Sequence, residues 1–201
     1  MPSPDGRWIV FDGAAPGKPP MSDFDLQFVR ADGTGRRTLA SSRAYELDGQ
    51  WSPDGLLLSY SRQPTRDWRR SEIWVVRRDG RGARRVTRGQ FARWSPDGTM
   101  LAVDAPGVGN DGDLVVVDLA GRMLRRFAGT PALEQPAAWS PDGTRILFTR
   151  FHADGAGADV FVVSGDGSGE RRLTRARGDD VAAAWSPDGG RILFTSDRTG
   201  R

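Results

Sequence analysis

Trp139-Ser140-Pro141-Asp142-Gly143-Thr144-Arg145-Ile146-Leu147-Phe148-Thr149-Arg150 decides the fold, because its opening residues return along the chain at a near-constant interval. Ser-Pro-Asp-Gly begins at residues 3, 52, 95, 140 and 186, spacings of 49, 43, 45 and 46. In the last four copies a tryptophan precedes it: Trp51, Trp94, Trp139 and Trp185. A period of roughly 40 to 50 residues marks a propeller or a solenoid. Within the turn, proline presets φ at the second position, aspartate accepts local backbone N–H groups and glycine takes the positive φ that closes a hairpin.

Outward from each turn the pattern repeats. A short apolar run follows it, over 8–11, 56–60, 100–103, 146–148 and 192–194. Across a loop comes a second apolar run, over 26–29, 73–76, 114–117 and 160–163, each preceded by an acid: Asp25, Glu72, Asp113 and Asp159. A second turn, Asp32-Gly33, Asp79-Gly80, Ala120-Gly121 or Asp166-Gly167, leads to an arginine pair: Arg36-Arg37, Arg84-Arg85, Arg125-Arg126 or Arg171-Arg172. Each unit therefore reads strand A ending in Trp, Ser-Pro-Asp-Gly turn, strand B, variable loop, strand C, second turn, strand D. Strands B and C are almost continuously apolar, as expected where neighbouring sheets cover both faces. The expected fold is all-β, a β-propeller of four-stranded antiparallel blades.

Composition agrees. Hydrophobic residues make up 37% and charged residues 27% of 201 residues, lean but globular, and 26 glycines with 13 prolines suit many tight turns. No apolar stretch approaches the roughly 20 residues of a membrane span, so no membrane insertion is expected. The first residues carry no charged and apolar leader, which points to a chain that is not exported or has lost its leader. With no cysteine, disulfides, cysteine-ligated metals and thiol nucleophiles are excluded. The pI near 10.1 comes from arginine, but no basic stripe interleaved with aromatics recurs, so no nucleic-acid partner is expected.

The motif set Trp-Ser-Pro-Asp-Gly, Arg-Ile-Leu-Phe-Thr, Asp-Val-Phe-Val-Val and Arg-Arg-Leu-Thr, taken from 139–174, resembles the TolB-type, WD-repeat-like propeller repeat. The resemblance covers nearly the whole chain. It implies a non-catalytic scaffold that docks onto envelope proteins in a periplasmic or extracytoplasmic setting. The alternative is the substrate-gating propeller of a prolyl oligopeptidase-like serine peptidase, whose Gly-x-Ser-x-Gly elbow is not in these 201 residues. A sensor domain fused to a regulator or kinase is a third reading.

One propeller domain is expected over 1–201, with a partial blade over 3–40, blades over 45–87, 90–127 and 136–174, and a partial blade over 181–201. Either strand A at 181–185 closes a ring by completing the first blade, or the chain is part of a larger ring. The second is expected, because four blades lie at the low end for propellers and TolB-like rings commonly have more.

In a meander propeller the short A–B and C–D turns share one face, and the B–C and D–A connections share the other. The variable B–C loops, over 12–23, 61–71, 104–112 and 150–158, make that second face the expected protein-binding surface. Within it Arg62, Arg66, Trp68, Arg69 and Arg70 are the candidate partner-binding residues, since tryptophan and arginine are enriched at binding hot spots. The repeated tryptophans and arginine pairs read as architecture, the long arginine stems covering apolar surface with their heads in water. Asn110-Asp111-Gly112-Asp113 and Asp179-Asp180 lack the terminal glutamate of a calcium loop. His152, the single histidine, has no cysteine or second histidine near it and is expected at the surface. No catalytic residue, metal, cofactor or small-molecule substrate is assigned.

Overall fold

The computed structural model describes residues 1–14, 24–107, 112–127, 130–175 and 178–198. Two compact units, Met1–Ala92 and Arg93–Arg201, divide the chain. In the first, β1 (Trp8–Ala14), β2 (Phe24–Arg30) and β3 (Arg37–Ala40) form a three-stranded sheet. Beside it β4 (Tyr45–Trp51), β5 (Leu57–Gln63), β6 (Glu72–Arg77) and β7 (Arg84–Arg88) make the first four-stranded blade. The next blade starts with β8 (Gln90–Trp94), which straddles the division, and continues through β9 (Met100–Pro106), β10 (Gly112–Asp118) and β11 (Met123–Phe127).

The remaining strands share one sheet: β12 (Glu134–Trp139), β13 (Arg145–Phe151), β14 (Gly157–Ser164), β15 (Arg171–Arg172), β16 (Gly178–Trp185) and β17 (Ile192–Ser196). The all-β fold of four-stranded antiparallel blades is as expected, with one difference. Because β15 is only two residues long, the head of β14 is left open to β16, which pairs with it in parallel at Gly157↔Gly178 and Ala158↔Asp179. Strand A at 181–185 pairs antiparallel with β17, Trp185 opposite Ile192, and so belongs to its own hairpin. Among the described residues no helix is long and apolar enough to cross a membrane.

The Ser-Pro-Asp-Gly turns form by short-range bonding, to which serine contributes more than its sequence position suggested. In the copy at 140–143 the Ser140 hydroxyl donates to Asp142 Oδ1 at 2.5 Å and accepts the Arg145 N–H at 2.9 Å. Asp142 Oδ1 also takes the Thr144 N–H and hydroxyl, while Gly143 at φ 71° returns its N–H to the Ser140 carbonyl. The same serine–aspartate bond recurs at Ser3, Ser52, Ser95 and Ser186.

These bonds hold every turn aspartate below the usual carboxylate range. The serine hydroxyl is the largest cause at Asp5, Asp54, Asp97, Asp142 and Asp188, and Asp142 is lowered to about 2. A depressed folded pKa gives stability that is present above the unfolded value near 4 and lost as pH falls through the folded one. The urea midpoint of the wild type should therefore drop between pH 4 and pH 2. In Asp142→Asn, which keeps the acceptor oxygen, that drop should be smaller. An equal drop in both would remove Asp142 from the acid response.

Two clusters of the buried core lie between adjacent sheets. Val10, Leu26 and Phe28 of the first sheet meet Trp51, Leu58, Tyr60 and Val76 of the second. In the second unit Ala102, Leu114, Val116 and Phe127 meet Trp139, Ile146, Phe148 and Val163. Trp51 and Trp139 are thus packed between sheets, as expected of architectural residues. The strand must pass close to its neighbour there: a Cβ on Gly49 would lie 2.5 Å from Leu26 Cδ1. The equivalent positions, two residues before the later tryptophans, are Ala92, Ala137 and Ala183.

Candidate functional site

The loop over 61–71 is organised by a short 3₁₀ turn, Trp68–Arg70, capped by Asp67, whose carboxylate accepts the Arg69 N–H at 3.2 Å. The Arg69 guanidinium lies over the half-buried Trp68 ring at 5.4 Å, and Arg69 and Arg70 approach Asp67 at 3.5 and 3.8 Å. Arg66 is exposed two residues before this turn. Arg62 is held apart from the other four. It sits on β5 opposite Glu46, 3.8 Å from that carboxylate and 3.9 Å from Glu72, with its guanidinium over Trp74 at 5.2 Å.

Arg62 belongs to a repeated device that the sequence reading missed. Strand A carries a buried acid five residues before its tryptophan, and an arginine at the end of strand B, or in the last case two residues beyond it, reaches it. The pairs are Glu46 with Arg62, Glu134 with Arg150 at 2.8 Å, and Asp180 with Arg198 at 3.2 Å. In the blade of β8–β11 both partners are missing together, with Gly89 and Ala105 at those positions. That joint absence is the signal by which the pairing could have been found.

A second device joins the acid before strand C to the second arginine of the strand D pair: Glu72 with Arg85 at 3.1 Å, Asp113 with Arg126, and Asp159 with Arg172 at 2.5 Å. The heads of these arginines therefore turn onto carboxylates while their side chains stay partly in water, Arg85 the most. The same pairs occupy the acidic clusters. Asp113 and Asp180 are ion-paired, while Asn110 and Asp111 lie outside the described residues. Among the described residues no group of three or more His, Cys, Asp or Glu is placed to hold a metal ion.

His152 is one third exposed on its hairpin and also bonds a buried acid. Its Nε2 is 2.6 Å from Oδ2 of Asp159, which is buried and also bound by Arg172. The tight hairpin between β13 and β14 brings the two together, since the His152 N–H bonds the Gly157 carbonyl. Burial pushes Glu46 and Glu134 above the usual carboxylate range, at Glu134 against the opposing pull of Arg150.

No protein-family model matches the chain. Among curated proteins it is 30% identical over 119 residues to an uncharacterized peptidase, YuxL, of Bacillus subtilis, a match covering 56% of this chain and 18% of that protein. It is 46% identical over 52 residues to the Tol-Pal system protein TolB of Syntrophus aciditrophicus, covering 26% and 11%. Among solved structures, TolB of Acinetobacter baumannii superposes with a TM-score of 0.78 at 21% identity, over 100% of this chain and 50% of that one. Oligogalacturonate lyase of Vibrio parahaemolyticus matches at 0.68 and 15%, over 99% and 58%. Dipeptidyl peptidase 4 of Porphyromonas gingivalis matches at 0.64 and 9%, over 96% and 32%. The chain spans well under two thirds of each of these proteins. The likeness establishes the β-propeller fold.

Proposed function

We propose that this chain is the propeller portion of a protein-binding scaffold of the TolB kind, with the face of the B–C loops as its docking surface. The supporting observation is the contrast between blade and loop. In the blades Arg150 and Arg172 close onto buried acids across strands at 2.8 and 2.5 Å, whereas in the loop Arg66, Arg69 and Arg70 are exposed around Trp68, with Arg69 and Arg70 near Asp67 at 3.5 and 3.8 Å. A rigid sheet carrying an indole flanked by guanidiniums suits recognition of an acidic, partly apolar protein surface. Arg62 serves the blade in this reading, and no residue of the chain acts as a catalyst.

The test is capture of partners by the intact parent protein. Trp68→Ala and Arg69→Ala should each reduce recovery at least five-fold with an unchanged thermal midpoint, while Arg85→Ala leaves recovery intact. Unchanged recovery with the loop variants would discard the loop as the docking surface. The identity to YuxL favours one other reading, the gating propeller of a serine peptidase. An α/β-hydrolase segment in the parent reading frame, together with cleavage of proline-containing peptides by the parent protein, would replace the scaffold reading with that one.

A further inference from the structure

The second unit carries an open cleft of about 590 Å³ on the short-turn side of β9–β14, floored by Met100, Val116 and Trp139 and rimmed by Leu124, two guanidiniums (Arg125 and Arg145) and one carboxylate, Asp166. This lies within the range of small-ligand and side-chain pockets. Its origin is visible in the chain's own repeat. By strand register, Val10 opposite Phe28 in the first sheet corresponds to Ala102 opposite Val116, and Trp8 to Met100. All three residues are larger in the first unit. Phe127, standing where Ala40 stands, adds volume, but it does so in the buried cluster.

The first unit also shows what the smaller residues leave out. Trp8 and Phe28 pack edge to face at 5.0 Å, and the Arg37 guanidinium lies over both rings, at 5.5 and 4.2 Å. Arg37 pairs with Phe28 as Arg125 pairs with Val116, so Arg125 stands in the place of Arg37 with neither ring beneath it. Among the described residues Arg125 closes no ion pair, although Asp166 is near enough to feel its charge. Arg145 adds a second guanidinium at the rim, lying over Trp185 at 4.6 Å.

We propose that this cleft is a docking site for an aromatic side chain on an acidic peptide segment of a partner protein. The ring would enter over Met100 and Val116 and lie under Arg125, completing the arrangement that Trp8 and Phe28 make internally. Carboxylates flanking the aromatic residue would face Arg125 and Arg145. A cationic group over an aromatic face is attractive by electrostatics, and the apolar floor adds burial. The site is separate from the loop over 61–71 and does not depend on that docking surface.

The probe is the peptide acetyl-Glu-Trp-Asp-amide labelled with 5-fluorotryptophan, titrated with the whole chain and followed by ¹⁹F NMR. Saturable binding is expected, with the same peptide bearing phenylalanine competing and the alanine peptide failing to compete. Arg125→Ala, an exposed substitution, should weaken binding about five-fold. Met100→Trp combined with Val116→Phe, which refills the cleft as in the first unit, should abolish it. Absence of binding to the wild type, or equal competition by the alanine peptide, would overturn the proposal. Unchanged affinity in Arg125→Ala would do the same and does not depend on whether the double variant folds. Because the loop variants Trp68→Ala and Arg69→Ala should bind this peptide normally, failure here and failure of the loop surface are separately read.

Discussion

Trp139→Ala should lower stability by about 3 to 5 kcal/mol, the range for emptying an indole-sized volume in a packed core. Trp139 sits among Ala102, Leu114, Val116, Ile146 and Phe148, and its Nε1 donates to the Arg93 carbonyl at 3.1 Å. Substitution removes apolar contacts on both sheets and leaves that carbonyl to find a new donor. Trp185, at the same place in the next unit, is half-buried and covered on one face by Arg145. Its replacement by alanine should cost about 1 kcal/mol. Urea unfolding measures both. Equal losses would mean that the tryptophans do not act by packing between sheets, and would return a shared ligand role to consideration.

Arg150→Ala should cost about 3 kcal/mol near pH 7, because removing one partner strands a buried charge. Arg150 is 16% exposed and Glu134 only 1%. It also binds Glu170 at 2.7 Å and lies over the Phe161 ring at 4.4 Å. Without it, Glu134 keeps, among the described residues, the Thr130 hydroxyl at 3.0 Å and the Leu114 N–H at 3.4 Å.

The pH dependence gives the prediction a second readout. Burial already raises the Glu134 pKa even with Arg150 present. A raised folded pKa contributes stability that is full below the unfolded value near 4.3 and lost as pH rises through the folded one. Removing the guanidinium raises the folded value further, so the deficit of Arg150→Ala should shrink as pH falls below 7 and Glu134 takes up its proton. Glu134→Gln with Arg150→Met should recover most of the loss. Arg62→Ala, whose Glu46 contact is 3.8 Å with the arginine side chain one third exposed, should cost about 1 kcal/mol. A deficit for Arg150→Ala that is constant with pH would show packing, not charge, as its cause.

What the sequence by itself determined is the part of the structure written in local bonds. The turn serine, aspartate and glycine bond to groups no more than five residues away, so the recurring tetrapeptide specifies each hairpin wherever it occurs. Apolar strands at a fixed interval then require sheets stacked on both faces, and strand, blade and inter-sheet tryptophan all follow. Partner choice across strands was settled only by the tertiary structure. Arg62 read as one of five loop residues, yet its place opposite Glu46, sixteen residues away, depends on the register of two strands. The His152–Asp159 bond and the arginine–acid pairs of strands C and D depend likewise on which side chains a register brings face to face. The cleft under Arg125 is more remote still. Its floor takes Met100 and Val116 from two different strands, each smaller than its counterpart Trp8 or Phe28, a volume that no single stretch of the chain encodes.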